Sequence, residues 1–195
     1  LAEAEALYVK AVELAPKNIM AHSLLGDFYL LTGRREEAFK KYAEVLKIDP
    51  DNTSSRIKMA ELYIEQGKLE DASKVVEELL KRNPKSVEGR FLKGRLLLAK
   101  NQIAEAITEL QGVVKEEPTL AQAHFYLALA NLRKGDIQSA RAGLEEAIRN
   151  EPNFILARFS LSELHLATGS YDLAAEEARQ ILMRQPNNVL ARLTL

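Results

Sequence analysis

The 195-residue chain has no cysteine and no tryptophan. Without thiols, a disulfide framework, thiol catalysis and thiolate metal sites are excluded, and the redox compartment stays open. A dominant charge of either sign is also missing: 27 Lys and Arg stand against 28 Asp and Glu, a formal net charge of −1. That balance removes the main electrostatic argument for nucleic acid or for an anionic membrane surface. No apolar run reaches membrane-spanning length, so direct membrane insertion is not expected, and no signal peptide is recognisable. The chain opens on Leu1 rather than Met, and a segment of a longer protein is expected. Proline is sparse, and the placement of the few that occur carries the information.

Pro16, Pro50, Pro84, Pro118, Pro152 and Pro186 recur at one constant interval of thirty-four positions. An alanine precedes each proline at a fixed offset: Ala4, Ala38, Ala72, Ala106, Ala140 and Ala174. Gly33, Gly67, Asn101, Gly135 and Gly169 form a third series, each midway between two successive prolines. Three residue types holding one register define an internal repeat, and the architecture is read from it. Inside the first whole unit, Leu24, Leu25, Phe28, Tyr29 and Leu31 recur at threes and fours, and the spacing resumes with Ala38, Phe39, Tyr42, Val45 and Leu46. The glycine series predicts a left-handed residue just past the first helix. Proline cannot continue the second helix and so follows its end. Each unit is therefore expected to hold two helices of about 13 residues, near the usual mean. The alanine suits the point where two helix backbones, about 8–10 Å apart, come closest. No strand pattern is present, and an all-α chain is predicted.

These residues resemble the tetratricopeptide repeat (TPR) pattern of Trp-x₂-Leu-Gly-x₂-Tyr, then Ala-x₃-Phe, then Pro, which has the same period. Leu25-Gly26 with Tyr29, and Ala38 with Tyr42, come nearest to it, and Met59-Ala60 with Tyr63 follow. The resemblance implies an α-solenoid of antiparallel helix pairs wound as a right-handed superhelix. Five whole units are expected, 19–52, 53–86, 87–120, 121–154 and 155–188, in a single array. Residues 1–18 match a second helix alone, and 189–195 the start of a further first helix. The Trp site holds His22, Arg56, Arg90, His124, Arg158 and Arg192. Arginine stems packed on the helix pair, with heads in solvent or on a carboxylate, are the expected reading, and an anion-binding row is the alternative. Asn131 and His165 replace core tyrosines and are expected to be satisfied by hydrogen bonds between helices.

No catalytic, cofactor or metal site is expected. His22, His124 and His165 fall in different repeats or at different repeat positions, without further metal ligands nearby. His-Glu-x-x-His, Gly-x-Ser-x-Gly and glycine-rich phosphate loops are all missing. No unit carries more than one net charge of either sign, so no basic stripe for nucleic acid exists.

The resemblance places partner binding on the concave face, which is built mainly from first helices. Its fifth repeat position holds Ile57, Phe91, Phe125 and Phe159, its ninth Arg95, Leu129 and Glu163, and its twelfth Leu98, Leu132 and Leu166. These side chains are the expected site: an apolar groove for a helix or extended peptide of a protein partner. Packing against the adjacent repeat is the alternative for the phenylalanines. The clamp that holds chaperone C-termini in this family is not expected, because Asp27 and Glu61 stand at ninth positions and would repel a carboxylate. The implied function is a non-catalytic protein-interaction scaffold. A structural spacer, or a regulatory arm with catalysis elsewhere, is the other reading. The arginine-rich, Leu/Ala-heavy units look like long bacterial arrays attached to envelope, secretion or polysaccharide-assembly proteins. Cytoplasmic placement is the default expectation, and a periplasmic or envelope-associated one the alternative. Exposed repeat interfaces at 1–18 and 189–195 predict end-to-end self-association.

Overall fold

A computed structural model describes residues 1–195. Twelve helices and no strand account for the regular structure: α1 (Ala2–Leu14), α2 (Ile19–Leu31), α3 (Arg35–Ile48), α4 (Thr53–Glu65), α5 (Leu69–Arg82), α6 (Val87–Ala99), α7 (Ile103–Glu116), α8 (Ala121–Lys134), α9 (Ile137–Asn150), α10 (Ile155–Ala167), α11 (Tyr171–Arg184) and α12 (Val189–Thr194). None is long and apolar enough to cross a membrane.

Local chemistry sets most helix ends. After four of the prolines a short polar side chain caps the next first helix. Asn18, Asn52, Ser86 and Asn188 accept from the backbone N–H of Ala21, Ser55, Gly89 and Ala191 at 3.0–3.2 Å. Each satisfies one of the donors that a helix N-terminus leaves without a partner. Past the first helices, Gly33, Gly67, Gly135 and Gly169 take φ between 70° and 86°, and Asn101 takes 62°. Asparagine tolerates this left-handed region better than most residues, which is why it can stand in the glycine series. The short turns that result fold each second helix back, antiparallel, onto its first.

The chain forms two compact units, Leu1–Lys100 and Asn101–Leu195. In the first, α2 packs on α3 and α4 on α5, while α3 meets α4 and α5 meets α6. In the second, α8 packs on α9 and α10 on α11, with α7 against α8, α9 against α10 and α11 against α12. Ala38, Ala72, Ala106, Ala140 and Ala174 are all fully buried, as the spacing predicts for the closest approach of paired helices. At Gly26 the fit is tight, because an added Cβ would lie 2.9 Å from the Tyr42 ring. The Tyr42 hydroxyl donates to Asp27 Oδ1 at 2.6 Å. Burial, and then this bond, raise the Tyr42 pKa well above that of a free phenol.

Candidate protein-interaction surface

The side chains at the Trp site do one repeated task. After five of the prolines, the side chain at this site bonds that proline's carbonyl oxygen. His22 Nε2 lies 2.9 Å from the Pro16 oxygen and His124 Nε2 2.8 Å from that of Pro118. Arg158 Nε lies 3.0 Å from the Pro152 oxygen and Arg192 Nε 3.0 Å from that of Pro186, and Arg56 donates to Pro50. The helix before each turn has ended and supplies no donor to this carbonyl; at Pro118 the Asn150 side-chain amide donates as well, at 3.3 Å. Arg158 also reaches Glu177 at 2.6 Å, and Arg56 approaches Glu78 at 3.9 Å. The guanidinium heads therefore bind a backbone carbonyl first and a carboxylate second. Sequence reasoning named the residues and missed their main partner.

His165 departs from expectation. It is buried, and its Nδ1 has no hydrogen-bond partner in the protein. Burial lowers its pKa first and the nearby Arg141 charge second, with Glu177 and Glu145 opposing. Asn131 is buried as a residue, but its side-chain amide still touches solvent and makes no hydrogen bond within the protein. Neither residue is held by the interhelical bond that was expected.

On α4 and α6 of the first unit, Ile57 is half-buried, while Phe91 and Leu98 are interior, at 7% and 4% exposure. The Arg95 guanidinium lies 5.6 Å from the Phe91 ring centroid and reaches Glu61 Oε1 at 3.5 Å. Asp27 accepts from Tyr42, Glu61 pairs with Lys58 and Arg95, and Glu65 pairs with Arg35. The acidic side chains of these first helices are thus largely engaged.

In the second unit, Phe125 is only 6% exposed and sits in a core with Leu144, Leu161 and Leu164. Its ring centroid is 5.0 Å from that of Phe154 and 5.3 Å from that of Tyr126. Leu129 and Leu132 pack half-buried on the same core. Phe159 is half-buried against Ala178, Ile181 and Ala191. Glu163 is exposed, and Leu166 is exposed at 39%. The expected ladder of three open rings is therefore corrected: Phe91 and Phe125 are interior, with Leu98, and only Phe159 is partly open. A ring at this position fills the space between packed helices, as the packing alternative has it. What the surface does present is Leu156, at 62% exposure, with Phe159, Glu163 and Leu166. Spacings of three, four and three put these on one face of α10. Leu190 and Leu193 of α12 are exposed as well. No three His, Asp or Glu side chains are arranged to hold a metal ion.

Tetratricopeptide repeat models match residues 33–96 and, with a second model, residues 1–53, 93–153 and 127–189. The chain belongs to the tetratricopeptide repeat family. Solved structures share its TPR fold. A TPR protein from Parabacteroides merdae is 20% identical with a TM-score of 0.87, over 99% of this chain and 75% of that one. A thermophilic TPR protein from Thermus thermophilus is 21% identical with a TM-score of 0.81, over 90% of this chain and 96% of that one. YrrB, described as a TPR protein with an unusual peptide-binding site, is 17% identical with a TM-score of 0.59, over 95% and 96% of the two chains. Among curated proteins none matches the chain. At these identities the solved structures establish the fold, an α-solenoid of helix pairs, and membership of the family supports a protein-interaction scaffold in general terms.

Proposed function

We propose that the chain is a non-catalytic scaffold that holds an apolar helix or peptide of a protein partner on the first helices of its second unit. The observation that carries this reading is the face of α10 formed by Leu156, Phe159, Glu163 and Leu166, in which two leucines stay open to solvent. Leu129 and Leu132 of α8 extend the apolar character, half-buried on the core beneath. Contiguous apolar surface on a soluble protein marks an interaction site, and an amphipathic helix suits one with a single charge. Glu163 then selects partners with a Lys or Arg beside their apolar stripe. Ile57, Phe91, Arg95 and Leu98 of the first unit serve this reading less directly, as the packed support of its first helices.

The test is selection from a random peptide library on immobilised chain, followed by affinity measurement of the selected peptides. Enriched peptides should carry apolar residues at helical spacing with a basic residue among them. Leu156→Ala combined with Leu166→Ala should weaken their binding at least tenfold while leaving the melting temperature within a few degrees. Selected peptides that bind this double variant as tightly as the parent chain would place the site elsewhere.

A further inference from the structure

α1 is held to the chain by one face only. Ala4, Tyr8, Val9 and Val12 pack half-buried on the core around Leu25 and Phe28, and the Tyr8 ring centroid lies 5.5 Å from that of Phe28. The opposite face is open, with Leu7 and Leu14 at 70% and 77% exposure. Between these leucines stands Lys10, exposed and making no ion pair in the chain. Leu7, Lys10 and Leu14 follow one another at spacings of three and four residues, which places them on one stripe of the helix.

That stripe matches the open face of α10. Taken from its C-terminal end, the α10 face runs Leu166, Glu163, Phe159 and Leu156, at spacings of three, four and three. Laid antiparallel, the two helices set Leu7 against Leu166, Lys10 against Glu163 and Leu14 against Phe159. Glu163 is exposed and, like Lys10, makes no ion pair in its own chain. Laid parallel from Leu156, the same stripes set Lys10 on Phe159 and Leu14 on Glu163. Antiparallel packing is thus the arrangement in which leucine meets apolar carbon and the two free charges meet each other. The spans agree as well, since about 10 Å of helix separates Leu7 from Leu14 and Phe159 from Leu166 alike. α12 supplies a second wall. Leu190 and Leu193 stand one repeat after Leu156 and Phe159 and are 56% and 79% exposed. Phe159 packs on the core that includes Ala191, so α12 runs beside it.

We infer that the occupant of the α10 face is a second copy of this chain, which lays the Leu7, Lys10 and Leu14 stripe of its α1 antiparallel along α10, beside α12. That occupant presupposes the reading of the α10 face as a partner site and gives the partner its identity. The helix brings what the face asks for, apolar side chains at helical spacing with one basic residue among them. The contact joins unlike surfaces, so a copy bound through its α1 still offers its own α10 face to the next, and assembly grows with concentration. A contact made through one helical stripe is small beside the roughly 1,200–2,000 Å² of a standard stable interface, and association is accordingly weak, on the order of 10–100 μM.

Sedimentation equilibrium of the full chain at low salt tests this, with two charge-reversed variants, Lys10→Glu and Glu163→Lys. Both positions are exposed, so both variants should melt as the parent does. Alone, each sets like charges against each other at the contact and should associate about three- to tenfold more weakly than the parent. Mixed in equal amounts, they place opposite charges at every contact between unlike copies, and the mixture should regain the parent's association to within about twofold. A parent chain that stays monomeric at every concentration would overturn the inference. So would single variants that associate as tightly as the parent, or a mixture no tighter than its components. Library-selected peptides that bind the α10 face without displacing self-association would leave that face a partner site, yet rule out the second copy as its occupant. Failure of peptides and self-association together would remove both roles.

Discussion

Arg158 donates from Nε to the carbonyl oxygen of Pro152, in the turn before its own helix, at 3.0 Å, while its Nη1 donates to Glu177 Oε2 at 2.6 Å. One side chain so ties a turn between repeats to the second helix of the following pair. Both members of the ion pair are largely buried, at 11% and 18% side-chain exposure. Arg158→Ala strands the carbonyl and the carboxylate together and should cost about 2–4 kcal/mol, read from urea unfolding. Arg158→Lys should recover only part of this, because an ammonium lacks the planar fork that serves both acceptors. Arg192 makes the same carbonyl bond while exposed, and Arg192→Ala should cost less than about 1 kcal/mol.

Phe125 separates packing from recognition. Buried with Leu161 and Leu164, it should cost about 3–5 kcal/mol when replaced by alanine. For a chain of this size that is a fall of roughly 6–20 °C in melting temperature. Leu156→Ala, on the open face of α10, should move the melting temperature by no more than a few degrees. Calorimetry on the two variants checks the contrast, and similar melting temperatures would show that Phe125 is not a core residue in solution.

A pH dependence follows from His165. Burial and Arg141 depress its folded pKa below the ordinary value of about 6.5, so the unfolded chain binds the proton more readily. The stability conferred by the neutral ring is therefore complete above that ordinary value. It is lost as pH falls from there towards the depressed folded pKa. Chemical unfolding between about pH 7 and pH 5 should show this decline, and His165→Gln should flatten it. An equal slope in the variant would assign the decline to other groups.

Self-association is the remaining expectation. Leu7 of α1 and Leu193 of α12 are 70% and 79% exposed, and both helices present surfaces of the kind that a neighbouring repeat covers. Contact between unlike ends is heterologous and extends with concentration. Sedimentation velocity over a concentration series should show species above 21.8 kDa, and Leu7→Glu or Leu193→Glu should remove them. A single monomeric boundary at every concentration would refute the idea.

The helix pairs, their turns and their small-residue contacts are legible in the sequence because each depends on chemistry a few residues long. A left-handed φ needs Gly33 or Asn101, a missing N–H stops a helix before Pro50, and a short amide at Asn52 starts the next. The periodic alanines are equally readable, since the constant repeat register brings them to the same contact in every pair. The candidate site is less legible. Phe125 and Phe159 share a repeat position, yet one is interior and the other half-open. Their burial is set by what packs over each ring: Leu161 and Leu164 for the first, the short α12 for the second. The bond from Arg158 to the Pro152 carbonyl arises in the same way. Sequence determined which side chain stands at each repeat position, and only tertiary packing decided whether it meets a carbonyl, another ring or open space. Burial belongs to the assembled neighbours, whereas propensity and capping belong to the residue itself.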